Sequence, residues 1–505
     1  MSTSPADPHL PAVHLRPPRN WINDPNGLVF HDGHYHVFFQ YNPHGPQHSN
    51  VHWGHFRSPD LIHWEPFPVA LTPTPGGYDA DGCYSGNAVS VDGSLLAFYS
   101  AHRKDRWWQP VTTARSHDDG RTWTKRPELL IAEPPAGTTM FRDPYVWRQD
   151  GRWRLLVGAA LDDGRAAALL YESNDLETWA YLGPFHTSDV AKGSGPVGWE
   201  CPQYATFGGR SVLVVSDWTP LSGPSHTTVH TGSEQRGRFT PDASPAPLDH
   251  GPDLYAPALL KAPGEDRWLL WGWAWEARDD SWAHEDGWAG VLTLPREVTL
   301  TADGTVAQCP ARELLALRGE RVLHGTGHVT RSEPAGLGEV GRAFDLTATL
   351  VPDTTGTSGL RLVTSADGSE FLDISLDPAA GHLVVDRGHA SRDPRARTGA
   401  YTVPCPAAAR PGTPVELRVV VDGSIAEVYL DGQVLTLRFY PVGDGPWRLE
   451  ARTTGTGRGE FTVEAWNLAL ENARPDTLLS GRRTAAPTPA SRATPSPSPS
   501  PSPTM

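Results

Sequence analysis

The sequence predicts an all-β protein: a five-bladed β-propeller followed by a C-terminal β-sandwich. The first observation is a repeat. Turn dipeptides flanked by apolar runs begin at Asp32-Gly33, Asp92-Gly93, Asp150-Gly151, Gly208-Gly209 and near Gly264-Glu265-Asp266, spaced 60, 58, 58 and 56 residues apart. A second marker keeps the same step: Ser58-Pro59-Asp60 leading to Trp64, Ser116-His117-Asp118 to Trp123, Ser173-Asn174-Asp175 to Trp179, and a degraded Ser233 to Phe239. The third observation is composition. Fifty Gly and 49 Pro imply many turns, and 17 of the 19 Trp precede residue 310. A sandwich would explain the strands but not their constant period; five units around a channel explain both.

Taken along the chain, residues 14–310 form the expected propeller. Segments such as Tyr35 to Phe39, Trp153 to Val157 and Val212 to Val215 are rich in β-branched and aromatic residues and read as its strands. Residues 311–319 carry a short helical pattern, Glu313-Leu314-Leu315-Ala316-Leu317-Arg318, expected to be a linker. Residues 320–472 return to strands, with Val415 to Val421 and Ile425 to Leu430 flanking Asp422-Gly423, and suit a β-sandwich. Residues 484–505 are almost entirely Thr, Ala, Pro and Ser, a composition that cannot bury a core and predicts a disordered tail.

Composition also excludes function classes. Forty-three Lys and Arg against 58 Asp and Glu leave a net charge of −15, which argues against nucleic acid or an anionic membrane as partner, since both demand a cationic face. No apolar run reaches the roughly 18 residues of a membrane helix, and the first ten residues lack the basic and apolar regions of a secretory signal. Cys83, Cys201, Cys309 and Cys405 are dispersed and form no CxxC pair, so neither a disulfide framework nor a zinc site is expected. These readings favour a soluble, reduced, cytoplasmic protein; oligomeric state is not legible.

The repeat brings scattered acids together. Asp24 and Glu200 each lie eight residues before their repeat's hairpin turn, and Asp143 lies seven before its own. The three therefore fall at equivalent places in blades one, three and four, on the strand that lines a propeller's channel. Converging carboxylates repel, so at least one should have a raised pKa and hold a proton near neutrality. A proton-bearing acid beside an ionised carboxylate is the apparatus of glycoside hydrolysis.

The residues around the acids narrow the chemistry. Trp21-Ile22-Asn23-Asp24-Pro25-Asn26-Gly27, Phe141-Arg142-Asp143-Pro144 and Trp199-Glu200-Cys201-Pro202 resemble the signatures of glycoside hydrolase family 32, the invertases, levanases and inulinases. Phe38-Phe39-Gln40-Tyr41-Asn42-Pro43, Trp53-Gly54-His55, Tyr84-Ser85-Gly86, Asp253-Leu254-Tyr255-Ala256-Pro257 and Leu294-Pro295-Arg296-Glu297 follow in order. The resemblance implies a retaining β-fructofuranosidase of invertase type. Asp24 would be the nucleophile, Glu200 the acid/base, and Asp143, with Arg142, the stabiliser of the oxocarbenium-like transition state. Asn23, Gln40, Trp53, Tyr84, Ser85, Asp253 and Tyr255 would contact the fructosyl unit. The resemblance implies a small-molecule or oligosaccharide substrate, and no cofactor and no metal. Ala258 stands where many bacterial relatives carry Gln, which removes a polar contact expected from blade five.

Other readings compete. Asp24-Pro25-Asn26-Gly27 and Asp143-Pro144 could be turn caps. His34 and His36 alternate along a strand without a third metal ligand and read as surface histidines; Asp79-Ala80-Asp81-Gly82 lacks the later ligands of a calcium loop. Cys201 reads as a small neighbour tuning Glu200, and Trp107-Trp108 as either a sugar platform or blade packing. The enzymatic rivals are a fructosyltransferase using the same covalent intermediate and a hydrolase of sucrose 6-phosphate or levan. The rival of another class is a non-catalytic fructan-binding protein, which would have lost an acid.

Overall fold

The computed structural model describes residues 7–189, 195–219 and 223–468. The Ser-Pro tail at 484–505 and residues 469–472 at the end of the expected sandwich lie outside the described residues.

Five antiparallel sheets occupy the first part of the chain. Their innermost strands are Asn20–His31, Gly82–Val91, Thr138–Gln149, Gly198–Phe207 and Leu254–Lys261. Each packs beside the next and the fifth beside the first, so the ring closes. A short parallel pairing of Trp288 and Ala289 with Asn20 and Trp21 ties the fifth blade's outer loop to the first blade.

The repeat signals have physical counterparts. At Asp32-Gly33, Asp92-Gly93, Asp150-Gly151 and Gly208-Gly209 both turn residues have positive φ, the type I′ geometry whose twist matches flanking strands. The fifth hairpin is longer, closed by the Ala262 N–H donating to the Arg267 carbonyl at 2.8 Å. In the Ser-x-Asp markers, the serine hydroxyl of Ser58, Ser116 or Ser173 donates to its aspartate at 2.9–3.1 Å. The following indole, Trp64, Trp123 or Trp179, donates to the carbonyl three residues back at 2.9–3.2 Å. The repeat therefore encodes two turns per blade.

A single 3-10 turn, Arg312–Leu317, follows the propeller, with Leu314 and Leu317 buried. Two six-stranded sheets then face each other. Strands such as Phe371–Asp377 and Trp447–Thr453 alternate buried and half-buried residues, giving one face to the shared core.

Propeller and sandwich meet through buried charge. Arg296 donates to Asp249 at 2.9 Å and lies 2.8 Å from Glu427, while His14 bridges Asp422 at 2.8 Å and Glu427 at 3.0 Å. All five are buried, so the seam is specified by matched charges as well as by apolar area. Asp249 also accepts from the Thr436 N–H at 2.8 Å, and the His250 N–H donates to Val434 at 2.8 Å. The chain entering the fifth blade is thus laid along the sandwich strand Gln433–Arg438. Among the described residues no helix is long and apolar enough to cross a membrane.

Candidate active site

The five inner strands share one irregularity. Pairing with the second strand breaks between Ile22 and Pro25, Tyr84 and Gly86, Arg142 and Tyr145, Glu200 and Gln203, and Tyr255 and Ala258. These are β-bulges at one level of the ring, and a bulge re-aims side chains. Three of the bulged residues, Asp143, Cys201 and Ala256, have φ of +63°, +47° and +46° and each precedes a proline. Left-handed backbone before proline is strained, at about 1–3 kcal/mol per residue, and such strain collects at functional sites.

The bulges correct the expected register. Asp24, Asp143, Cys201 and Ala256 are equivalent, each preceding a proline (Pro25, Pro144, Pro202, Pro257). Glu200 stands one place earlier, with Asn23, Arg142 and Tyr255. Counting from the hairpin turns could not see this one-residue offset. The repeated proline is the signal that would have shown it.

The bulges open on a pocket of about 290 Å³ lined by Asn23, Asp24, Gln40, Tyr84, Ser85, Arg142, Asp143, Glu200 and Tyr255, all expected, together with Trp21, His48, Trp218, Pro224 and Trp273. Its volume sits at the small end for organic ligands and suits a ring-sized group held at the bottom. The additional aromatics come from strand ends and the loop holding His48, whose positions depend on loop path rather than on the repeat.

Within it, the three carboxylates are buried. Asp24 Oδ2 accepts from the Ser85 hydroxyl at 2.5 Å, and Gln40 in turn donates to Ser85. The Cys201 sulfur lies 3.6 Å from Oδ2 of both Asp24 and Asp143, so those two oxygens can be no more than twice that distance apart. Asp143 Oδ2 also accepts from the Cys201 N–H at 3.1 Å. Both Glu200 oxygens are engaged: Oε1 accepts from Arg142 at 2.8 Å and Oε2 from the Tyr255 hydroxyl at 2.7 Å. The Asn23 side chain accepts from the Asp24 N–H at 2.6 Å and so caps the bulge.

Burial is the main cause that pushes the Asp24 carboxyl up to about 7; the charges of Asp143 and Glu200 add to it and Ser85 opposes it. Asp143 is likewise pushed up to about 7 by burial, against the pull of Arg142. Burial works against the Arg142 charge, but Glu200 and Asp143 prevail and hold the guanidinium above its ordinary value. Asp24 and Asp143 are thus the two acids that burial biases toward holding a proton near neutrality.

Two expected contacts lie elsewhere. Trp53 is fully buried and does not line the pocket; its indole donates to the Tyr84 carbonyl at 3.1 Å, bracing the second blade's bulge from behind. Asp253 is also fully buried and outside the pocket, where it accepts from Arg387 and from the Arg438 N–H at 2.8 Å, both in the sandwich. Both residues are two positions or one strand removed from a pocket residue, which is why a sequence match places them at the sugar.

Other candidates resolve similarly. His36 is a buried histidine, not a surface one; it bonds His55 at 2.9 Å and burial lowers its pKa to about 4. Asp79 is held by Lys125, Tyr99 and the Thr74 N–H. Trp108 packs, donating to the Ala132 carbonyl at 2.9 Å, whereas Trp107 is 52% exposed. Ala258 belongs to an apolar cluster with Ile22 and Trp271, away from the pocket. Among the described residues, Asp7, His9 and Asp286 are close enough together to hold an ion, but Asp7 accepts from the Trp288 indole and Asp286 pairs with Arg278.

Comparison with known proteins agrees with this arrangement. The N-terminal domain model of glycosyl hydrolases family 32 matches residues 14–310, and the C-terminal domain model of that family matches 313–467. The chain is similar to a sucrose-6-phosphate hydrolase of Zymomonas mobilis, 32% identical over 439 residues, covering 83% of each chain. It is similar to a raffinose invertase of Escherichia coli, 32% identical over 458 residues, covering 86% of this chain and 90% of the other. Its fold is similar to fructan 1-exohydrolase IIa of Cichorium intybus, with a TM-score of 0.79 at 25% identity over 91% of this chain and 97% of that one. The two family models together span the propeller and the sandwich, and this chain belongs to glycoside hydrolase family 32.

Proposed function

We propose that the protein is a retaining β-fructofuranosidase that removes terminal non-reducing β-D-fructosyl units from sucrose and related fructans. The observation that carries this reading is the convergence of Asp24, Asp143 and Glu200 in one buried, ring-sized pocket. The relatives' names support it: a hydrolase of sucrose 6-phosphate, an invertase and a fructan exohydrolase all act on fructosides.

The geometry supports a role for each group. Ser85 and Cys201 both bond Oδ2 of the Asp24 carboxylate, which leaves Oδ1 as the oxygen that attacks the anomeric carbon. Glu200 protonates the departing oxygen and then takes a proton from water, so the intermediate ester on Asp24 is hydrolysed with overall retention. For Oε2 to carry that proton the Tyr255 hydroxyl must turn away, and the Asp217 carbonyl, 3.3 Å from it, is there to accept. Arg142 holds Glu200 in place, and Asp143 faces the ring where positive charge develops.

Among the described residues that line the pocket, Arg142 is the one arginine or lysine, and it is committed to Glu200. That favours an uncharged sugar over a phosphorylated one. The four cysteines are free, Cys201 beside Asp24 and Asp143 included, which suits a reducing compartment and a cytoplasmic location. The test is incubation with sucrose, raffinose, inulin, levan and sucrose 6-phosphate, with the first-formed fructose anomer read by NMR. Release of β-fructofuranose from sucrose or a fructan is expected. Inversion, or no fructose from any of the five, refutes the proposal, and oligosaccharide products at high sucrose would mark transfer instead of hydrolysis.

A further inference from the structure

The misplaced Asp253 leads to a role for the sandwich. Asp253 and Arg387 are 1% and 2% exposed, and the Arg387 guanidinium donates to Asp253 Oδ2. The same nitrogen donates to the Arg438 carbonyl at 2.8 Å, and Nη2 donates to the Tyr401 hydroxyl at 3.0 Å, so the arginine is locked within the sandwich. On the propeller side, the Asp253 carbonyl accepts from the Trp275 N–H at 3.0 Å. The Trp275 ring lies flat on Tyr255, with centroids 5.4 Å apart and planes 10° apart. Tyr255, two residues beyond Asp253, donates to Glu200 at 2.7 Å.

We infer that Arg387, a sandwich residue that does not line the pocket, is a positioning residue for Glu200, acting through Asp253, Trp275 and Tyr255. This rests on the reading of Glu200 as the acid/base. Tyr255 pairs with Trp273, but the ladder is interrupted immediately after it at the strained Ala256, so its backbone is held from one side alone. The clamp from the sandwich supplies that restraint, at a point one β-strand repeat away. A Tyr255 hydroxyl displaced by about half an ångström weakens its charge-assisted hydrogen bond and leaves Glu200 held by Arg142 on Oε1 alone.

The experiment compares Arg387→Ala and Arg387→Lys with the wild-type full chain, on sucrose and on a p-nitrophenyl β-fructofuranoside. A nitrophenolate leaves without protonation, so kcat/KM for the aryl substrate reports attack by Asp24 without the acid's help. Arg387→Ala should lose roughly tenfold or more in kcat/KM on sucrose, the size of one hydrogen bond to a charged group, with the loss in kcat rather than KM. The aryl substrate should lose less than about twofold, and Arg387→Lys should recover part of the sucrose activity. Tyr255→Phe should show the same substrate split, and the pair should be non-additive in a double-mutant cycle. Because Arg387→Ala strands a buried aspartate, Arg387→Met combined with Asp253→Asn, which removes both charges, is run in parallel as the folded reference. Equal losses on both substrates, additivity with Tyr255→Phe, or wild-type sucrose turnover in the charge-free pair overturns the inference. A wild type inactive on every fructoside would instead overturn the proposed function.

Discussion

Replacing Asp24 by Asn should destroy turnover and stabilise the fold, and the second effect carries a defined pH dependence. The native Asp24 carboxyl is held at about 7, against 3.8 for the ordinary group. A group whose native pKa is raised is bound to a proton more tightly in the folded state, so folding loses stability as pH rises from the unfolded value through the native one. Three units correspond to about 4 kcal/mol, lost in full by about pH 8 and only to under about 2 kcal/mol at pH 5. Asn carries no charge to desolvate and its oxygen still accepts from Ser85. For a chain of this length, with an unfolding entropy of about 1 kcal/mol per kelvin, the gain at pH 8 is about 4 °C in Tm. Scanning calorimetry of both proteins from pH 5 to 8 measures it: the Tm difference should open steadily with pH. A difference that is constant, or that closes with rising pH, would show that Asp24 is not a desolvated carboxylate in the native pocket. A nucleophile made reactive at the expense of stability is the physical content of this test.

The remaining expectations are briefer. Asp143→Asn removes one of the like charges acting on Asp24, so its stabilisation should have the same sign, and the gain of the double variant in the same calorimetric series should fall short of the sum. Glu200→Gln should cut sucrose turnover by about 10²–10⁴-fold while the far-UV spectrum is unchanged; near-normal turnover removes it from the acid/base role. Arg296→Met should destabilise by about 3–5 kcal/mol in denaturant titration, since it leaves Asp249 buried without a cation and Glu427 with His14 alone. Gly251→Ala should fail to fold natively, because an added methyl would overlap the Thr436 backbone where the fifth blade's entry segment lies on the sandwich; a soluble variant of wild-type Tm would refute that packing.

Much of this was legible before any coordinates, because a repeat writes local physics many times over. Asp32-Gly33 and its copies are type I′ turns since only such residues accept two consecutive left-handed conformations cheaply, and the Ser-x-Asp to Trp segments are self-contained hydrogen-bonded turns. Both are local, so sequence alone predicts them, and with them the period, the five blades and the convergence of Asp24, Asp143 and Glu200. What depended on long-range packing was not legible. A bulge re-aims a side chain without changing its distance from the hairpin turn, so Glu200's offset from Asp24 was written only in the prolines, and the retreat of Trp53 behind Tyr84 was not written at all. Arg387 and Asp253 stand 134 residues apart, on different domains, and nothing in either neighbourhood announces the other. Turn chemistry is settled between residues a few positions apart; the aim of a catalytic carboxyl is settled by which distant buried charges the folded chain has matched.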